Sequence, residues 1–259
     1  MKISYGKQYV DQKDANYLVK SLHEEFITNG KNVSRFEKKI KKKLNARFCI
    51  ACNNATSGLF LAFKAINLKK NDVVIMPAIN FIASYSMAKF LGAKIFLCDV
   101  DEITGQITAK TLNKCIKTNK ITKIKAIITM YLGGYPSNVM DVYKVKKKYN
   151  FFIIEDSCHA FGASYTLNKK RYKVGSNNHS DISIFSFHPI KPITTGEGGA
   201  ITTKNPKFFK IIKSLRNHGI LRKKNYWDYD IEELSFNFRI SDINCALGIS
   251  QLNKLQKFL

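Results

Sequence analysis

Hydrophobic positions change their period along the chain near residue 47. Before it, Ala15, Leu18, Leu22 and Phe26 fall at helical spacing. Phe36, Ile40 and Leu44 form the stripe of a second helix, opened by Ser34 and Glu37 at capping-box spacing. Beyond it, short apolar runs of strand length alternate with helical stretches. Strands are predicted at 47–52, 72–76, 94–98, 124–130 and 151–155, and helices at 57–67, 81–91, 108–116 and 139–148. Two further strands flank a turn between 183 and 203. A helix near 205–216, a polar aromatic loop over 223–238 and a last helix from about 241, carrying Ile243, Leu247 and Leu255, complete the chain. Alternating strands and helices imply an α/β fold, a mostly parallel sheet sandwiched by helices. Ligands of such sheets bind beyond the carboxyl ends of the strands. No internal repeat and no linker divides the 259 residues.

Three places at predicted strand ends carry candidate chemistry. Asn53-Asn-Ala-Thr-Ser-Gly joins a strand to a helix. Small residues, hydroxyls and a helix N-terminus suit an anion, though taken alone the stretch is better read as an ordinary N-cap by Thr56 or Ser57. Asp156 follows an apolar strand, with His159 three residues on. A carboxylate there can hold a ring nitrogen protonated, or it can cap a helix. Lys191 sits between Pro189 and Pro192, flanked by apolar and small residues and preceded by Ser186. The prolines deny it a helix or a central strand. It reads as a nucleophilic Schiff-base lysine or as an exposed lysine of a hairpin. Anion cradle, aspartate, serine and lysine in that order make a pyridoxal phosphate site, and their conjunction is more specific than any one part.

The formal charge of +24 invites a nucleic-acid reading. Only six of the 43 basic residues are arginine, the better reader of bases and phosphates. The lysine runs fall where helices face solvent, so no nucleic-acid partner is expected. Cys49 and Cys52 lie three apart in a strand and point to opposite faces. With no second pair at zinc spacing, no metal site is expected. No stretch approaches the roughly 18 unbroken apolar residues of a membrane helix, and no apolar signal core opens the chain. A cytoplasmic protein without a membrane partner is the expectation.

The motifs Asn54-Ala-Thr-Ser, Asn80-Phe-Ile-Ala-Ser, Glu155-Asp-Ser-Cys-His-Ala, Phe185-Ser-Phe-His-Pro-Ile-Lys-Pro-Ile-Thr-Thr-Gly-Glu-Gly-Gly, Leu215-Arg-Asn-His-Gly and Asn237-Phe-Arg-Ile-Ser-Asp run through the whole chain. In them the sequence resembles the DegT/DnrJ/StrS family of pyridoxal-phosphate-dependent sugar aminotransferases. The resemblance implies the large domain of the type I, aspartate-aminotransferase-like fold over residues 1–259, with a helical N-terminal segment over about 1–45. It implies amino transfer from glutamate to a nucleotide-activated 4-keto-6-deoxy sugar in glycan biosynthesis. A cofactor-binding remnant, or an enzyme aminating a different sugar carbon, is the alternative. Lys191 would bond the cofactor covalently and shuttle a proton. Asp156 would pair with the ring nitrogen, His159 would lie by the ring and Phe81 would stack on it. Thr56, Ser57 and Ser186 would hold the phosphate. Asn237 would reach the phosphate of a neighbouring subunit, implying a homodimer with shared sites. Tyr5, Glu25, Phe26, Ile27, Thr28 and Ala55, with Ser186 and Asn237, match positions lining the sugar-nucleotide site. Family members continue into a smaller C-terminal domain, so the chain reads as truncated before it, with an unpaired apolar face on the last helix.

Overall fold

The computed structural model describes residues 6–223, 225 and 227–259. Two helices, α1 (Gln12–Leu22) and α2 (Lys31–Leu44), precede an alternating segment. It runs β1 (Phe48–Cys52), α3 (Ala55–Ala65), β2 (Val73–Pro77), α4 (Ile82–Phe90), β3 (Lys94–Cys98), α5 (Ala109–Thr118), β4 (Ala126–Met130), α6 (Val139–Tyr149) and β5 (Phe152–Asp156). A hairpin, β6 (Ser164–Leu167) and β7 (Lys170–Lys173), leads to β8 (Ile182–Ser186), β9 (Gly199–Thr203) and α7 (Pro206–Leu215). A short pair, β10 (Ile220–Arg222) and β11 (Tyr229–Ile231), precedes α8 (Asp242–Phe258).

Seven strands form one sheet in the order β1-β9-β8-β5-β4-β2-β3. The pairings β3 to β2, β2 to β4, β4 to β5 and β5 to β8 are parallel, while β8 to β9 and β9 to β1 are antiparallel. The expected mostly parallel sheet is therefore present, and the 183–203 turn joins its antiparallel end. One face packs on α3, α4 and α7 through Leu59, Phe63, Ala88 and Ile212. The other packs on α2 and α8 through Phe36, Ile40, Cys245 and Ile249, and on α5 and α6 through Leu112 and Val142. Cys49 and Cys52 enter opposite layers, as strand alternation requires.

Tertiary contacts overrode several local expectations. Ser34 does not cap α2, since it lies inside that helix and donates to the Lys31 carbonyl at 2.9 Å. The cap comes from 212 residues away. The Asp242 carboxylate accepts from the amides of Gly30 (2.7 Å), Asn32 (2.7 Å) and Val33 (3.2 Å). Glu37, freed of capping, binds the Ala51 amide and Arg216. Leu22 and Phe26 are exposed, and α1 buries Asp14 and Ser21 instead. Asp14 meets Gln251 and Lys254 of α8. With α1, α2 and the sheet against it, α8 buries Cys245, Ala246, Ile249, Leu252 and Leu255, so its apolar face is not unpaired. The β6–β7 hairpin escaped the sequence pattern because its residues are mostly polar and no face is fully buried. Its two-residue turn, Asn168-Lys169, has φ of 47° and 61°, the left-handed pair a tight hairpin demands. Strand β11 likewise lies within the expected loop, pairing with β10 just before it. Among the described residues, no helix is long and apolar enough to cross a membrane.

Candidate active site

The carboxyl edge of the parallel strands gathers the chemistry-bearing side chains. Strand register explains the first group. Gly199 pairs with Cys52 of β1 on one side and with Ser186 of β8 on the other. Beyond Cys52 the chain turns into α3, whose N-cap is Asn54, not Thr56 or Ser57. The Asn54 carboxamide accepts from the Ser57 amide at 2.8 Å. The Ala55 and Thr56 amides belong to the first turn, where helix geometry supplies no internal acceptor. A Cβ on Gly199 would lie 2.7 Å from the Asn54 carbonyl carbon, so only glycine lets β9 run under this turn. Thr56 and Ala55 are half-buried, Ser57 is buried, and the Ser186 hydroxyl accepts from the His188 amide at 3.3 Å. These residues lie together at the edge where the sequence suggests an anion cradle.

Asp156 ends β5 and is only 4% exposed. It caps no helix. One oxygen accepts from the Cys158 amide at 3.2 Å, and the other lies 3.5 Å from the Ser84 hydroxyl of α4. That long contact ties α4 to the site and brings its N-cap residue, Phe81, to the same edge with 67% of its surface open. Nearby carboxamides stay unmatched. Asn80 is half-buried, and both its side-chain polar atoms are buried and unpaired, as is the Asn53 oxygen.

Lys191 lies half-buried in the loop between β8 and β9. The loop is stiff: Lys191 N–H donates to the His188 carbonyl, Thr195 N–H to the Phe187 carbonyl, and Phe187 N–H to the Gly198 carbonyl, each at 2.9 Å. His159 is half-buried, and burial together with the Lys191 charge pushes its imidazole below its ordinary pKa, against a smaller opposing pull from Asp156. The Cys158 thiol is pushed up by burial and by Asp156, and Lys191 pulls it down. Lysine and aspartate thus act on the same two side chains with opposite sign. Gly134, at φ 83°, lets the Leu132–Gly134 turn pack on the His159 backbone, where a Cβ would meet its carbonyl at 2.5 Å.

An open cleft of about 680 Å³ leads to this edge, lined by His159, Ile190, Lys191, Thr194 and Gly133. Lys7, Gln8, Tyr9 and Gln251 also line it. The sequence offered no signal for these residues, since they arrive through the α1–α8 contact. Gln251 holds the Tyr9 carbonyl at 2.9 Å. The segment Glu25 to Thr28 is placed elsewhere: Glu25 and Phe26 line a small depression with Asp242, and Thr28 bridges Ser241. Ile27 is exposed, and its carbonyl accepts from the Asp242 amide. Asn237 is exposed beside the cradle, where Phe238 accepts from the Asn53 amide. Tyr5 lies outside the described residues.

The fold and these strand-end groups agree with one family, whose model matches residues 8–259. The chain belongs to the DegT/DnrJ/EryC1/StrS aminotransferase family. It is 42% identical over 253 residues to the UDP-4-amino-4,6-dideoxy-N-acetyl-beta-L-altrosamine transaminase of Campylobacter jejuni, covering 98% of this chain and 65% of that one. Its structure is similar to that of PseC from Helicobacter pylori, an aminotransferase of pseudoaminic acid biosynthesis, with a TM-score of 0.90, 30% identity, and 99% and 67% of the two chains covered. A Streptococcus pneumoniae protein solved in a PLP form matches at TM-score 0.88 and 26% identity, over 99% of this chain and 68% of that one. The chain therefore spans just under two thirds of the length of the Campylobacter transaminase. Its fold is that of the type I PLP-dependent transferases.

Proposed function

We propose that this chain is the cofactor-binding large domain, with its helical N-terminal segment over about 1–45, of a pyridoxal-phosphate-dependent sugar-nucleotide aminotransferase. Its donor would be glutamate and its acceptor a nucleotide-activated 4-keto-6-deoxy sugar. The observation that carries the reading is a buried Asp156 with only two long hydrogen bonds at the end of β5, beside a cleft lined by His159 and Lys191. The residues present fit the cofactor. Asp156 is buried with weakly filled hydrogen-bond capacity, Asn80 and Asn53 have unmatched polar atoms, and the α3 N-terminus is cleared by Gly199.

Pyridoxal phosphate supplies an electron sink for the carbon that loses or gains the amino group. The protein's part is binding, charge and proton movement. Ala55 and Thr56 amides, with the hydroxyls of Thr56, Ser57 and Ser186, would hold the phosphate at the positive helix end. Asp156 would keep the ring nitrogen protonated, and a buried carboxylate does so without competition from water. Phe81 offers an open ring face, and His159, held neutral by burial and the nearby ammonium, would lie against the ring. The Lys191 amine would carry the cofactor and move a proton, its loop confining where the amine can reach. Tyr5 and Ala55 would contact the sugar nucleotide, and the Glu25 to Thr28 segment, away from this copy's cleft, would do so in the site of a second copy. Asn237, exposed beside the cradle, would serve a second copy's phosphate in a homodimer. A cytoplasmic location suits the six unpaired thiols.

The test combines two readouts on the purified protein. Cofactor binding is followed by its visible absorption, and amino transfer from glutamate to a 4-keto sugar nucleotide by product mass. Binding and turnover that both vanish in Lys191→Ala support the reading. Binding without any turnover limits the chain to a cofactor-binding unit, and an absence of binding overturns the proposal.

A further inference from the structure

Cys98 and Cys115 form a thiol pair that the site above does not use. Cys98 closes β3, the edge strand of the sheet, and Cys115 sits on the face of α5 that packs against it. Two contacts fix the geometry. The Cys98 thiol lies 3.8 Å from the Thr111 hydroxyl, one helical turn before Cys115, and the Cys115 thiol lies 3.9 Å from the carbonyl of Leu97, next to Cys98. Cys98 is fully buried, while Cys115 keeps 8% of its surface open to a small reagent.

Their protons are unequally held. The neighbouring Cys98 thiol, with a hydrogen bond from Asn119 Nδ2 at 3.8 Å, holds the Cys115 thiol down to about 7 against the opposing effect of burial. Cys98 is pushed the other way by Cys115 and by burial. Burial pushes Cys49, Cys52, Cys158 and Cys245 upward. Thiolate character governs attack on an oxidant, so Cys115 stands alone among the six.

We infer that Cys98 and Cys115 are a modification site that a hydroperoxide converts to a disulfide between β3 and α5. The Cys115 thiolate attacks one peroxide oxygen, the O–O bond breaks, and the leaving hydroxide takes a proton to become water. Cys98 then attacks the resulting sulfenic acid at sulfur. Its thiol proton leaves with the hydroxyl as a second water, and the S–S bond forms. Two thiols are oxidised by two electrons and one peroxide is reduced to two waters. The site touches the cofactor edge through one hydrogen bond: the Ala78 amide donates to the Cys98 carbonyl at 2.8 Å, at the start of the segment carrying Phe81.

The experiment treats the whole chain with hydrogen peroxide, then unfolds and alkylates it before mass measurement and peptide mapping. The expected result is loss of two of the six thiols, with one linked peptide pair, Cys98 to Cys115, that dithiothreitol separates. Cys115→Ser should keep its five remaining thiols under the same treatment. Six alkylated cysteines, a disulfide between other partners, or a Cys115 sulfinic acid without a link would overturn the inference. So would the loss of two thiols persisting in Cys115→Ser.

Discussion

Glu155 and Asp156 are neighbouring carboxylates on one strand, and their surroundings could hardly differ more. Strand alternation sends them to opposite faces of the sheet. Glu155 has a donor on each oxygen. Tyr131 gives its hydroxyl proton to one at 2.6 Å, and Ser183 gives its own closely to the other. Around it Asn177 ties Ser183 and Ser180 together, and Tyr165 bonds His179 at 2.6 Å. Asp156 faces α4 with one amide at 3.2 Å and one distant hydroxyl. A buried polar group is expensive when unpaired. A filled carboxylate is therefore structural, while one held half-filled at a strand end keeps its capacity for a ligand. Reactivity in this fold is marked by incompleteness, and burial alone does not distinguish the two.

The largest effect should come from the cation opposite Asp156. Lys191→Ala is expected to reduce turnover by about 10⁴-fold, in line with loss of a positioned acid–base group, while the urea midpoint stays near that of the wild type. Next comes Asp156→Ala, which should cost roughly a hundred- to a thousandfold in turnover through a lost preorganised charge and should weaken cofactor binding. Glu155→Ala should do the reverse. Leaving the Tyr131 and Ser183 hydroxyls without their acceptor should cost about 3 kcal/mol in urea unfolding, with a much smaller loss of turnover per folded molecule. If Glu155→Ala removed turnover as fully as Asp156→Ala without loss of stability, the contrast between the two would collapse.

Titration sharpens the same comparison more gently. Burial raises Glu155 above the ordinary value of 4.5 despite its donors. The folded state therefore holds a proton that the unfolded state gives up. Its stabilising contribution is complete below about pH 4.5 and is lost as pH rises through the folded value. Glu155→Gln should flatten that limb of the stability–pH profile, measured by urea unfolding at successive pH values. The smallest effect is expected far from either carboxylate. Asp242→Ala removes the acceptor for three amides at the start of α2 and should cost about 1–2 kcal/mol without changing turnover per folded molecule.

The parallel strands were legible because each is an apolar run bounded by polar turns, and buried strands need that composition. The stop of α4 was legible in Gly92, whose φ of 80° no ordinary side chain adopts readily. Lys191, Asp156 and the Asn54 to Ser57 turn were legible too, since each is a reactive or small residue at a strand end. Their meeting was a matter of register, with Gly199 joining Cys52 to Ser186 across three strands. Other features had no local signature. Asp242 caps a helix 212 residues away by displacing the nearer serine. Asp14 and Ser21 are buried on α1 because α8 and α2 bring Lys254, Gln251 and Asn32 to meet them. Lys7 to Tyr9 enter the cleft by the same packing. Periodicity, turn chemistry and residue type are properties of a few neighbouring positions, and these the sequence determined by itself. Which donors fill which acceptors depends on long-range approach, so only the tertiary structure decided that Glu155 is satisfied and that Asp156 is left waiting for a partner.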